Sequence, residues 1–176
     1  QGVLLENPMK NVTKPKLERR KVDALSEDEA KEFFEALKTC PLDFRCMLTL
    51  LTTAGLRRGE CVGLKWKDFD AKEQTINIER NVIYTTKEGI TINTPKTAKS
   101  ERTIPILEST ADLLCKLKRQ RQRENPEANL EDSFLFHGKY DIFSPMYPDA
   151  VTRRLRRFVK SNNLPDLSPH DLRHSC

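Results

Sequence analysis

The chain has 176 residues, 37% of them hydrophobic and 32% charged, with 31 basic against 26 acidic side chains and a formal charge of +5. That is enough chain to bury the core of one domain without disulfide staples. The absence of any apolar run near the ~18 residues of a membrane span, and of a signal peptide, points away from membrane-spanning and secreted classes. The five cysteines (Cys40, Cys46, Cys61, Cys115 and Cys176) are scattered and form no C-x-x-C pair, so reduced thiols of a cytoplasmic protein are expected and no cysteine-rich metal site is signalled.

Residues 1–22 read as a basic linker. Asn7-Pro8 is followed by Lys14, Pro15, Lys16, Arg19, Arg20 and Lys21; proline limits helix and the charge density opposes burial. A helix is predicted to start at Ser26, with Glu29 completing a capping box, and Ala30, Phe33, Phe34 and Leu37 form its apolar face. Pro41 opens a second helix striped by Phe44, Met47, Leu48 and Leu51, and Gly55 ends it. A short helical segment from Arg57 to Leu64 precedes the polar stretch around Trp66.

The period then shortens to two. Ile76, Ile78, Val82 and Tyr84 predict a strand, Lys87-Glu88-Gly89 a turn, and Ile90 with Ile92 the returning strand. Arg102–Ile106 predicts a third strand, placed at an edge or strand end by Pro105. Helical spacing returns at Leu113, Leu114 and Leu117 beside the basic run 116–123. Phe134-Leu135-Phe136 is a short buried segment. Val151, Leu155, Phe158 and Val159 stripe another helix, whose other faces carry Arg153, Arg154, Arg156, Arg157 and Lys160. The last helix starts with Ser168 as cap, Pro169 at its first position and Asp171 as the box acid. The fold class is therefore α+β: mainly helical, with a small three-stranded antiparallel sheet carrying a lysine hairpin.

Three stretches carry more than fold: Thr53-Ala54-Gly55-Leu56-Arg57-Arg58-Gly59-Glu60, Thr94-Pro95-Lys96-Thr97-Ala98-Lys99-Ser100-Glu101-Arg102-Thr103-Ile104-Pro105, and Ser168-Pro169-His170-Asp171-Leu172-Arg173-His174. In this order they resemble the catalytic domain of the tyrosine recombinases, the phage-integrase family, in their G-L-R-x-x-E, P-K-T…S-x-R-x-I-P and H-x-L-R-H motifs. The resemblance implies a catalytic domain over 23–176, incomplete at its C-terminus, with 1–22 as the linker from a core-binding domain. The family pattern runs on to a further histidine or tryptophan and then to a tyrosine nucleophile. Tyr84, Tyr140 and Tyr147 do not match that position, so no nucleophile is assigned in this chain. The expectation is a fragment of a recombinase that binds DNA but does not cleave it alone.

These residue types suit phosphodiester exchange. Charge gathers on the non-bridging oxygens of an attacked phosphate, and guanidinium groups hold such oxygens through paired, charge-assisted hydrogen bonds. By resemblance, Arg57 and Arg173 are the two clamps, Lys96 is the general acid for the leaving sugar oxygen, and His170 bonds the phosphate or moves protons. Glu60 and His174 are supporting residues by the same match. Lys99 is the rival to Lys96 within the same lysine-rich turn. Arg58 falls at a variable position and is read as a surface charge. The linker, Lys99, Arg153, Arg154 and Arg157 are candidate contacts to phosphates of double-stranded DNA, positioning the duplex rather than reading its bases. No metal or other cofactor is expected, since the covalent intermediate itself conserves the bond energy. The family implies a homo-oligomer, a tetramer of the full-length protein on paired DNA sites, acting in integration of a mobile element or phage. A basic DNA-binding module without catalysis is the alternative. It predicts Arg57 and Arg173 on opposite faces, whereas the recombinase reading predicts that they share one phosphate-sized spot.

Overall fold

The computed structural model describes residues 25–93 and 101–174. The helices are α1 (Glu27–Leu37), α2 (Leu42–Thr53), α3 (Arg58–Val62), α4 (Glu108–Glu124), α5 (Pro148–Ser161) and α6 (Pro169–His174). The strands are β1 (Phe69–Asp70), β2 (Thr75–Ile78), β3 (Asn81–Thr85), β4 (Gly89–Asn93) and β5 (Arg102–Pro105). The α+β class read from the sequence is the class observed.

Local chemistry sets the helix starts. Ser26 Oγ accepts from the Glu29 amide, and Glu29 Oε2 accepts from the Ser26 amide at 2.8 Å. The same reciprocal pair recurs at α6, where Asp171 Oδ2 accepts from the Ser168 amide at 2.8 Å and Ser168 Oγ accepts from the Asp171 amide. Each box satisfies two amides that the first helical turn would leave unpaired.

Helix α2 is the central element. Every residue from Cys46 to Thr52 is buried, and the helix packs against α3, α4 and α6. Its buried threonine hydroxyl at Thr52 is satisfied by the Leu48 carbonyl one turn back. Three rings join α1, α2 and α5: Phe158 meets Phe33 and Phe44 edge-on, with centroids 5.4 and 5.6 Å apart. Such pairs contribute about 0.5–1.5 kcal/mol each beyond their buried area. Leu155, Val151 and Val159 complete the predicted stripe of α5, and Phe134, Leu135 and Phe136 are buried as expected.

The strands divide differently from the expected single sheet. β1, β2 and β5 form a three-stranded antiparallel sheet, while β3 and β4 form a separate two-stranded ladder. The run read as one strand through Ile76 and Tyr84 breaks at Glu79-Arg80. There the Arg80 guanidinium turns inward to the buried Asp68 carboxylate and the Gly63 carbonyl. A buried carboxylate needs such a partner, and reaching it takes Arg80 out of the ladder. Pro105 does lie at the end of an edge strand, opposite Thr75. Among the described residues no helix is long and apolar enough to cross a membrane.

Candidate active site

Gly55 closes α2 with φ of 58°, a conformation that costs glycine little. The chain then reverses and presents Arg57 as the N-cap of α3. Arg57 is held from beneath by Glu60, whose side chain is almost wholly buried. Glu60 Oε2 accepts from the Arg57 amide at 2.9 Å, and Glu60 Oε1 accepts from Arg57 Nη1 at 2.8 Å. The arginine side chain is nevertheless 63% exposed. It is tethered on one edge and free to meet a ligand on the other.

Glu60 has a second cation. Arg102 Nη1 donates to Oε1 at 3.0 Å and Nη2 to Oε2 at 2.9 Å, the bidentate geometry that guanidinium and carboxylate favour. Burial pushes the Glu60 carboxyl up, but the hydrogen bonds from Arg102 and Arg57 outweigh it and bring the pKa down to about 2. Glu60 is therefore ionised at neutral pH.

Between these residues sits Gly59. A Cβ there would lie 2.2 Å from Asn81 Oδ1 and 2.5 Å from the Val82 carbonyl oxygen. Glycine is what lets α3 press onto β3, and that contact brings Arg57 beside the hairpin.

Helix α6 supplies the opposite wall. Arg57, His170, Arg173 and His174 line one cavity of about 810 Å³, together with Arg58, Gly59, Asn81, Tyr84 and Thr152. The two predicted clamps thus share one cavity. His170 Nε2 lies 3.0 Å from His174 Nε2, one ring edge-on to the other. Such a contact requires a proton on one ring and a lone pair on the other. Arg173 Nη1 is buried with no hydrogen-bond partner among the described residues. A buried guanidinium nitrogen left unpaired costs free energy. Among the described residues, the cavity lining holds three arginines and no carboxylate.

Several residues here were not singled out from the sequence. Arg102 stood within the S-x-R-x-I-P motif, and the motif itself was the available signal. Arg58, read as a surface charge, reaches the cavity wall and bonds Asp149 at 2.8 Å and Thr152 at 3.0 Å. Tyr84 also reaches the wall, its ring 4.5 Å from that of Tyr147. Desolvation, and then the hydrogen bond with Tyr84, raise the Tyr147 phenol above its ordinary value.

On α5, Arg153 and Arg157 are exposed, with Arg153 over the Tyr147 ring at 5.6 Å. Arg154 is not free: it bonds Asp43 at 2.9 Å and lies 4.7 Å from the centre of the Phe44 ring. Lys96 and Lys99 lie outside the described residues.

The family model described as "Phage integrase family" matches residues 23–176. The ICEBs1 integrase of Bacillus subtilis (strain 168) is 28% identical over 99% of this chain and 47% of its own length. The transposase from transposon Tn916 of Enterococcus faecalis is 30% identical over 85% of this chain and 38% of its own. The chain thus spans about half or less of these curated relatives. Among solved structures, the Tn1549 transposon integrase in complex with circular intermediate DNA superposes with a TM-score of 0.76 at 24% identity, over 90% of this chain and 54% of that one. XerA recombinase superposes with a TM-score of 0.65 at 23% identity, over 87% and 48%. Both likenesses establish the fold.

Proposed function

The chain belongs to the phage integrase family, and from that membership we propose that it is the catalytic domain of a site-specific DNA recombinase, built to hold one backbone phosphate of a duplex during strand exchange. The observation that carries this reading is the shared cavity lined by Arg57, His170 and Arg173. It favours catalysis over a DNA-binding module, which has no need to gather cations in a recess behind its surface. A relative of the same fold was solved with DNA bound.

In this reading Arg57 and Arg173 each hold non-bridging oxygens of the scissile phosphate. Their charge stabilises the five-coordinate transition state more than the ground state, because negative charge grows on those oxygens as the bond order changes. His170 bonds the same phosphate, and its contact with His174 fixes the ring. Glu60 supports Arg57 from below. Lys96 protonates the 5′ sugar oxygen as it leaves, and a tyrosine phenolate attacks phosphorus to give a 3′-phosphotyrosyl link. The freed 5′-hydroxyl of a partner strand then attacks that link, its proton returning to Lys96 as the phenolate leaves and the phosphodiester is restored. No bond energy is lost, so no nucleotide cofactor is consumed.

None of the three tyrosines here is assigned as the attacking phenol: Tyr84 and Tyr147 pack on each other, and Tyr140 is 90% exposed on the surface. The chain alone is expected to bind duplex DNA without cutting it. Lys99, Arg153 and Arg157 contact flanking phosphates, and the full-length protein works as a tetramer on paired sites. The test is Arg173→Ala in a recombinase carrying this domain. Strand cleavage should fall by about 10²–10³-fold while most duplex binding remains. Undiminished cleavage would remove Arg173 from the site.

A further inference from the structure

We infer that Arg102 is a positioning residue of this site, acting through Glu60 to aim the Arg57 guanidinium into the cavity and to keep its charge available for an anion. The inference rests on the proposed reading of Arg57 as a phosphate ligand and extends it to a residue that never meets the phosphate.

Glu60 has two oxygens and four donors. Oε1 takes Arg57 Nη1 and Arg102 Nη1, while Oε2 takes the Arg57 amide and Arg102 Nη2. Each oxygen is thus shared between one bond to Arg57 and one to Arg102. The fork from Arg102 fixes the plane of the carboxylate, and that plane fixes where Oε1 can hold Arg57 Nη1. Without it the carboxylate is free to rotate about its last torsion, and the Arg57 side chain rotates with it.

The charge count matters equally. One carboxylate facing one arginine makes a neutral pair with little left to attract phosphate. One carboxylate between two guanidiniums leaves a net positive charge, and it is left on Arg57, whose side chain is 63% exposed. Arg102 is only 33% exposed and is absent from the cavity lining. Arg102 therefore neutralises Glu60, and Arg57 is left to the ligand.

The lever is rigid at its other end. Arg102 stands in the β5 ladder opposite Ile78 of β2, and the next residue, Thr103, donates to Asn77 Oδ1 at 2.7 Å. The connection therefore runs from the sheet through Arg102 and Glu60 to the N-cap of α3.

The experiment follows the Arg57 Nε–H signal by NMR during titration with inorganic phosphate, in the unaltered chain and in Arg102→Gln, Arg102→Lys, Glu60→Gln and the Arg102→Gln/Glu60→Gln double variant. Arg102→Gln should weaken phosphate affinity at Arg57 about tenfold. Arg102→Lys, which keeps the charge but not the fork, should recover only part of it. In the Glu60→Gln background Arg102→Gln should have no further effect, because its route to Arg57 is gone. An undiminished affinity in Arg102→Gln, or an equal effect with and without Glu60, would overturn the inference. Loss of the fold in both Arg102 variants would do so too, making the residue structural. If the Arg57 signal of the unaltered chain ignores phosphate while the fold is intact, the phosphate reading itself fails, and that outcome is distinct from the others.

Discussion

Glu60 and Arg102, 42 residues apart in sequence, face each other through two parallel hydrogen bonds of 3.0 and 2.9 Å. That pair joins the strand β5 to the short helix that presents Arg57. It places a buried carboxylate, normally a liability, where two guanidiniums make it a fixed support.

The pair predicts acid sensitivity. The Glu60 carboxyl is lowered from 4.5 to about 2 in the folded chain. A depressed carboxyl stabilises the fold fully above its unfolded value, and that contribution disappears as the pH falls from about 4.5 towards 2. Its size is on the order of 3 kcal/mol. Urea denaturation across that range should show the loss, and Glu60→Gln should flatten it. An equally steep loss in Glu60→Gln would assign the acid sensitivity to other groups.

Gly59→Ala should destabilise the chain by about 1–3 kcal/mol through overpacking. The added methyl meets both a side-chain oxygen and a backbone carbonyl of β3. Shortening the side chain with Asn81→Gly should recover only part of the loss, because the Val82 carbonyl cannot step aside. Thermal melts of the single and double variants measure this. Full recovery would place the whole conflict on the Asn81 side chain.

The arginines of α5 should separate into two kinds. Duplex affinity is expected to fall with salt with a log–log slope of ~−0.9 per phosphate neutralised. Arg153→Ala and Arg157→Ala should each make the slope shallower by about 0.9 with little change in stability. Arg154→Ala should leave the slope in place and lower stability by about 1–2 kcal/mol, because its partners are Asp43 and Phe44. A shallower slope in Arg154→Ala at unchanged stability would return it to the DNA surface.

What could be read from the sequence was local. Ser26 with Glu29, and Ser168 with Asp171, announce α1 and α6 because both partners of each box lie three residues apart. Gly55 marks the reversal before Arg57 for the same reason: its φ is a property of one residue. The family resemblance implied one site for Arg57, His170 and Arg173, and these three line one cavity. What escaped was nonlocal. The break between β2 and β3 depends on Arg80 finding Asp68, and Arg58 is bonded to Asp149 across 91 residues. Arg154 looks like its neighbours on a helical wheel, but its Asp43 lies 111 residues away. No periodicity records such partners.

The central claim is that two guanidiniums hold one phosphate. A crystal structure of this chain bound to a DNA duplex tests it most directly. A single backbone phosphate should lie in the cavity with oxygens about 3 Å from both the Arg57 and the Arg173 guanidinium nitrogens. A duplex seated with Arg57 and Arg173 on different phosphates, or with the cavity facing away from the DNA, would contradict the account.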